Sequence, residues 1–457
     1  MKSRIEHDML GEREVPAAAY YGIHTVRAVA NFPLSGRRVA PVLIRALALV
    51  KKACCLANAE LGYLDAERAT AIAAACDEIS EGRLADQFVT DALQGGAGTS
   101  TNMNMNEVIA NRALEIRNRA KGDYAFIHPL DHVNLHQSTN DVYPTALKTA
   151  AIFELRDLSG KLANLQTTFQ LREKDFADIV KIGRTELQEA VPMTLGAEFS
   201  AFAEAFARDR WRTFKAEERL RTVNLGGTAI GTGIAAPRSY IFLVIEKLRE
   251  LTGLGLTRGE NCIDQTANQD ALVEASAILK ACAANFIKVA RDLRLLHTLG
   301  EIRLPAVQAG SSIMPGKVNP VVMESLIQGG MQVESCDHLV GQCAAAGTLQ
   351  INEYMPLLAD ALLTSFRLLG SMCDMLIECV GKLEADRERC LRHFDSCPTV
   401  ITAFIPYIGY DRALALVQEF QQQSETGLWV FLSARLEPEL VEKVLRPQNL
   451  IALGYWD

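Results

Sequence analysis

The sequence predicts an all-α protein built on a central bundle of about five long helices, set between smaller N- and C-terminal domains. Three kinds of stretch carry that expectation. Leu272, Ala275, Leu279, Cys282, Phe286, Val289, Leu293 and Leu296 keep alternating steps of three and four over several heptads. Leu155, Leu158, Leu162, Leu165 and Phe169 do the same, as do Leu195, Phe199, Phe202 and Phe206. Leu362, Phe366, Leu369, Cys373, Leu376 and Val380 mark another helix, and one more is expected from about Asn319 to Gly341. The bundle is therefore placed over residues 141–385, with an N-terminal domain over 1–140 and a small C-terminal domain over 386–457.

Composition narrows the class. The chain has 457 residues, 49% hydrophobic and 22% charged, with a net charge of -8, so it can bury a sizeable core and is a poor match for nucleic acid. No apolar stretch is long enough to span a bilayer, and the first residues lack the apolar region of a signal peptide, which favours the cytoplasm. The eleven cysteines include no Cys-x-x-Cys pair and read as reduced, buried thiols. His128, His132 and His136 have a helical ligand spacing, yet Pro129 and the polar residues after it read as a loop, so metal there is a weak option.

Taken in order, residues 1–38 read as an irregular segment, and 41–61 with 65–81 as a helix pair around Gly62. Gln94-Gly-Gly-Ala-Gly-Thr-Ser-Thr-Asn102 gathers glycines and hydroxyls just ahead of a helix expected from about Met105 to Arg117, where exposed amides suit an anion. Ser138, Thr139 and Asn140 precede another helix and read equally as an N-cap cluster. Gly183 to Pro192 is a polar connection carrying Thr185 and Glu186. Gly226 to Gly233 lacks the lysine of a phosphate loop and reads as a turn between helices.

Gly310-Ser-Ser-Ile-Met-Pro-Gly-Lys-Val-Asn-Pro320 is the stretch richest in chemistry. Its glycines let backbone approach a ligand, while Lys317 and Asn319 offer a charge and a donor for a carboxylate. A polar surface loop with a solvated lysine has the same composition. The hydroxyl clusters, moreover, lie beside helix ends. Opposite ends of a helix of about 30 residues are roughly 45 Å apart, so the clusters need not meet within one chain. Association of several copies would allow it.

The loop from Gly310 to Pro320 is similar to the signature of the aspartase/fumarase superfamily, and the chain resembles that superfamily along nearly its whole length. Ile5 to Pro16, Tyr20 to Arg27, Gly95 to Ser100 with Asn102 to Asn104, Gln137 to Asp141 and Gly227 to Gly233 resemble its aspartase branch most. The resemblance implies an aspartase/fumarase-like fold, a homotetramer whose active sites are each shared by three subunits, and deamination of a small-molecule dicarboxylate substrate, L-aspartate, to fumarate and ammonia. It implies no organic cofactor, while the residues themselves offer no metal site beyond the weak histidine option and point to no nucleic acid and no membrane. Carried over residue by residue, Ser311 would be the general base. Thr99, Ser138, Thr139 and Ser312 would hold the side-chain carboxylate, Lys317 and Asn319 with Thr185 the other one, and Asn140 would lie near the amino group.

These residue types suit that chemistry. Removing a proton next to a carboxylate builds a dianionic aci-carboxylate, which pre-aimed donors must meet; one such donor is commonly worth about 3 kcal/mol. A serine is a poor base unless its alkoxide is stabilised, here by loop amides and the Lys317 charge. Glu186 departs from the family, which places histidine or glutamine there. Ionised, it would attract an ammonium leaving group; protonated, for instance by sharing a proton with Glu324, it would act as glutamine does. Another amino-substituted dicarboxylate, fumarate hydration and a non-catalytic paralogue are the alternatives.

Overall fold

The computed structural model describes residues 2–422 and 427–455. Its described residues fall into two compact units, one drawn from Met1–Leu158, Arg212–Ala281 and Gln332–Leu368, the other from Ser159–Trp211, Cys282–Met331 and Leu369–Asp457. The elements in chain order are β1 (Ser3–Asp8), β2 (Gly11–Pro16), α1 (Ile23–Asn31), α2 (Pro41–Glu60), α3 (Ala66–Ser80), α4 (Thr99–Ile116) and α5 (Thr139–Asp175). Then come β3 (Val180–Thr185), β4 (Gln188–Thr194), α6 (Leu195–Leu220), α7 (Arg238–Thr252), α8 (Cys262–Ala267), α9 (Asp270–Leu299), α10 (Val321–Ala346), α11 (Met355–Lys382) and α12 (Arg387–Asp395). The fold is all-α. The five long helices expected between residues 141 and 385 are α5, α6, α9, α10 and α11.

The first unit opens with the antiparallel hairpin β1–β2, where an irregular segment was expected. Its strands bury only Glu6 and Val15, so they show no hydrophobic alternation to read. The Arg4 guanidinium ties the hairpin down by donating to the carbonyls of Pro16, Ala19 and Tyr21. Two buried carboxylates then start α1. Glu6 accepts from the Ile23 amide at 2.8 Å, and Glu107 from the amides of Gly22, His24 and Thr25 at 2.8, 2.8 and 3.1 Å. They satisfy helix-start donors that no local side chain caps. Burial nevertheless pushes the Glu107 carboxyl up to about 7, against the hydrogen bonds it accepts.

α4 starts at Thr99, six residues before the sequence suggested. Its first two turns, Thr99 to Asn106, are polar but almost wholly buried, so partners elsewhere in the unit outweigh the preference of Ser, Thr and Asn for caps. Gly98 sets the start with φ +96°, and a Cβ there would lie 2.4 Å from the Tyr143 ring. Only glycine meets both conditions.

In the second unit, stacked and edge-on contacts join Phe169 of α5, Phe199, Phe202 and Phe206 of α6, and Phe286 of α9. These are the residues that carried the three-four spacing. Arg172 of α5 donates to the Val380 carbonyl of α11 at 3.0 Å, and Arg294 of α9 pairs with Glu324 of α10. The chain after α12 forms short helices whose Phe404, Leu416, Phe420, Phe431 and Val441 join Phe394 of α12 in a core that also takes in Ile182 of β3. The β3–β4 hairpin is thereby held on the C-terminal helices.

Candidate active site

The first unit brings together two of the predicted clusters. Thr99 is the first residue of α4, and its hydroxyl donates to the Gly96 carbonyl at 2.7 Å. One turn on, Asn102 reaches the second cluster, its Nδ2 lying 3.2 Å from Thr139 Oγ1. Thr139 is buried at the start of α5, while Ser138 and Asn140 are half-buried beside it. Ser138 Oγ accepts from the Asn140 amide at 3.2 Å, as an N-cap reading requires, and Asn140 Nδ2 donates to the Ala229 carbonyl at 2.7 Å.

Asp141, which the sequence reading passed over, ties this cluster to the glycine-rich turn at 226–233. Its carboxylate is fully buried and accepts from the amides of Ser138, Gly226 and Thr228 at 3.0, 3.1 and 3.0 Å. Burial pushes its carboxyl up to about 6, against those hydrogen bonds and the Lys51 charge. Lys51 was missed too, although its position was informative. It lies on a buried stripe of α2 with Leu47, Cys54 and Asn58, where a lysine has no solvated reading.

The second unit carries the remaining predicted residues. Ser311 Oγ accepts from the backbone amides of Ile313 at 3.1 Å and Met314 at 2.9 Å. Two amides aimed at one serine oxygen are what an alkoxide needs, and neither depends on a side chain. The loop is pinched at its root. The Gly310 amide donates to the Lys317 carbonyl at 2.8 Å, and Asn319 Nδ2 donates to the Gly310 carbonyl at 2.9 Å. A Cβ on Gly310 would sit 2.7 Å from that Lys317 oxygen, so the pinch excludes any side chain there. Ser312 and Lys317 are exposed on the chain, and Ser311 and Asn319 half-buried.

Thr185 and Glu186 stand at the tip of β3–β4. Thr185 pairs with Gln188, which leaves Glu186 and Leu187 as a two-residue turn. Both have positive φ, +52° and +64°, in a turn that favours Asn-Gly. Such strain in two non-glycine residues is typical of functional loops. The hairpin's root is rigid. Glu301, fully buried, lies 2.8 Å from Lys181 Nζ and accepts from Arg184 at 2.7 Å, with His393 Nδ1 at 2.9 Å. Burial alone would raise the Glu301 carboxyl, but the Lys181 charge and the hydrogen bonds from Lys181, His393 and Arg184 hold it below its ordinary value. Among the described residues, no hydrogen bond joins Thr185 or Glu186 to the 310–320 loop, and Glu324 accepts a long, 3.4 Å bond from Arg294.

Three further expectations concern metals, thiols and membranes. His132 Nδ1 accepts from the His128 amide and His136 Nδ1 lies 2.7 Å from Asn58 Oδ1. Among the described residues, no group of three or more His, Cys, Asp or Glu is arranged to hold a metal ion. All eleven cysteines are buried and none is joined in a disulfide, and no helix among the described residues is long and apolar enough to cross a membrane.

A mainly helical scaffold presents hydroxyls, an amide-supported serine and a lysine in separate loops, and comparison with known proteins places it among lyases. A family model described as Lyase matches residues 11–334. Proteins named aspartate ammonia-lyase are similar over almost their whole length. That of Helicobacter pylori is 42% identical, covering 98% of each chain, and that of Pseudomonas aeruginosa is 44% identical, covering 98% of this chain and 97% of its own. Among solved structures, a fumarate lyase:delta crystallin from Brucella melitensis bound to cobalt superposes with a TM-score of 0.94 at 45% identity, covering 99% of this chain and 100% of its own. A class II fumarase from Schistosoma mansoni gives 0.90 at 31%, covering 98% of each. The chain belongs to the Lyase family, the aspartase/fumarase superfamily.

Proposed function

We propose that the protein is an aspartate ammonia-lyase, a carbon-nitrogen lyase that converts L-aspartate reversibly to fumarate and ammonia. The observation that carries this reading is full-length similarity, at 42–44% identity, to proteins of that name. The 310–320 loop also resembles the superfamily's signature. In the proposed reaction Ser311 takes the proton from the carbon beside the side-chain carboxylate, its oxygen supported by the Ile313 and Met314 amides. Thr99, Ser138, Thr139 and Ser312 receive the charge that grows on that carboxylate. Lys317, Asn319 and Thr185 hold the other one. Asn140 and Glu186 face the amino group, which departs as ammonia on the opposite side.

As the resemblance to the superfamily implies, each site in this proposal draws on three copies of a homotetramer, at work in the cytoplasm. Glu186 favours a cationic leaving group over the hydroxyl of malate. The test is to incubate the purified protein separately with L-aspartate, L-malate and a panel of N-substituted aspartates, following fumarate absorbance. L-Aspartate is expected to give the highest kcat/KM. Fumarate from malate alone would replace the proposal with a hydratase, and a higher kcat/KM on a substituted amine would move it to that substrate.

A further inference from the structure

Lys51 is 1% exposed, in the middle of α2, and its Nζ donates to Asn134 Oδ1 at 2.9 Å and Gln137 Oε1 at 2.7 Å. An ammonium only donates, so both side-chain amides must turn their oxygens toward it. That choice propagates. Asn134 Oδ1 also faces Asn102 Nδ2 at 3.2 Å and Asn106 Nδ2 at 3.1 Å, so Asn102 must in turn present its NH₂ group. The same Nδ2 lies 3.2 Å from Thr139 Oγ1. One of its two hydrogens serves Asn134 and the other serves the threonine.

We propose that Lys51, Asn134 and Asn102 form a positioning relay that fixes the Thr139 hydroxyl as a donor. An oxygen that already accepts from Asn102 keeps its own hydrogen for another acceptor. With Asn102 turned the other way, that hydrogen would go to the Asn102 carbonyl instead. The inference rests on the proposed role of Thr139 as a donor to the substrate carboxylate. It adds a reason why a cation is buried beneath a cluster of side-chain amides and hydroxyls and hydrogen-bonds to none of its carboxylates. A merely structural lysine would be expected to pair with a carboxylate, whereas both hydrogen-bonding partners of Lys51 are neutral amides. Burial lowers its ammonium to about 8, with Cys54, Asp141 and Cys76 as the nearby groups that favour the charge, so it remains protonated at neutral pH.

A double-mutant cycle on the full-length enzyme separates the relay from simple packing. Lys51→Met is expected to lower kcat/KM for L-aspartate about tenfold, the scale of one well-aimed donor. In a Thr139→Val background, where there is no hydroxyl to orient, the same change should cost less than about twofold. Equal losses in both backgrounds would overturn the relay. A Thr139→Val protein with unaltered kinetics would instead remove Thr139 from the substrate site, a different failure. If Lys51→Met does not fold, Asn134 carries the test. Asn134→Asp keeps an obligate acceptor facing Lys51 and Asn102, and should retain about fivefold more kcat/KM than Asn134→Ala. No difference between the two would overturn the proposal.

Discussion

Asp141→Asn is a one-atom change whose consequences the geometry specifies. The carboxylate accepts three amides, the Ser138 N–H on one oxygen and those of Gly226 and Thr228 on the other. An asparagine can offer its carbonyl to only one side. With the oxygen toward Gly226 and Thr228, its NH₂ opposes the Ser138 amide and leaves a buried donor unmet, at a cost of about 1–3 kcal/mol. The same substitution removes a titration. The folded pKa of Asp141, about 6, lies above the ordinary value of 3.8, so the folded state binds this proton more tightly than the unfolded chain. Wild-type protein therefore gains stability from Asp141 as pH falls, about 1 kcal/mol between pH 7.5 and pH 5, and the asparagine variant does not. The melting difference between wild type and variant should accordingly shift in favour of wild type on going from pH 7.5 to pH 5, in scans at one protomer concentration and one rate. Its kcat/KM should drop about tenfold as the Ser138 backbone shifts. A difference that is equal at the two pH values, or shifts in favour of the variant at pH 5, would refute the reasoning.

Glu301→Gln should act in the opposite sense. Its folded carboxyl lies below the ordinary value, so the charge stabilises at neutral pH and that contribution fades as pH falls through the folded pKa. The melting deficit of the variant, corresponding to about 3–5 kcal/mol at pH 7 for a broken buried ion pair, should narrow toward pH 4; a constant deficit would exclude the assigned cause. A subunit-mixing experiment tests the proposed sharing of the site between subunits. Ser311→Ala protein reassembled at equal ratio with a Ser138→Ala, Thr139→Val double variant should regain about a quarter of wild-type activity if these residues come from different copies. No recovery despite mixed tetramers would place them on one chain.

How much could be read from the sequence depended on whether local residues or distant ones decide a conformation. The long helices were legible because Phe169, Phe199, Phe206 and Phe286 repeat at helical spacing and do meet in one core. α1 was not, because its start is held by Glu6 and Glu107, neither of which adjoins it. The first turns of α4 were read as a loop for a similar reason. Asn102, Asn104 and Asn106 look like cap formers until the buried partners around them are seen. At the site, the residues proposed to touch substrate were found through resemblance, while those that orient them were not. Lys51 could have been noticed as a cation on an apolar stripe. Asp141 and Asn134, by contrast, are ordinary polar residues near helix starts, and only their hydrogen bonds distinguish them.

The central claim is that Ser311 takes a proton from L-aspartate in an amide-lined loop. It is tested most directly by the rate of fumarate formation from L-aspartate by Ser311→Ala, beside wild type, with the assembly of each checked by its mass in solution. The claim predicts that the variant assembles as wild type does and loses at least about a thousandfold in kcat. An intact variant that still forms fumarate at near the wild-type rate would contradict it.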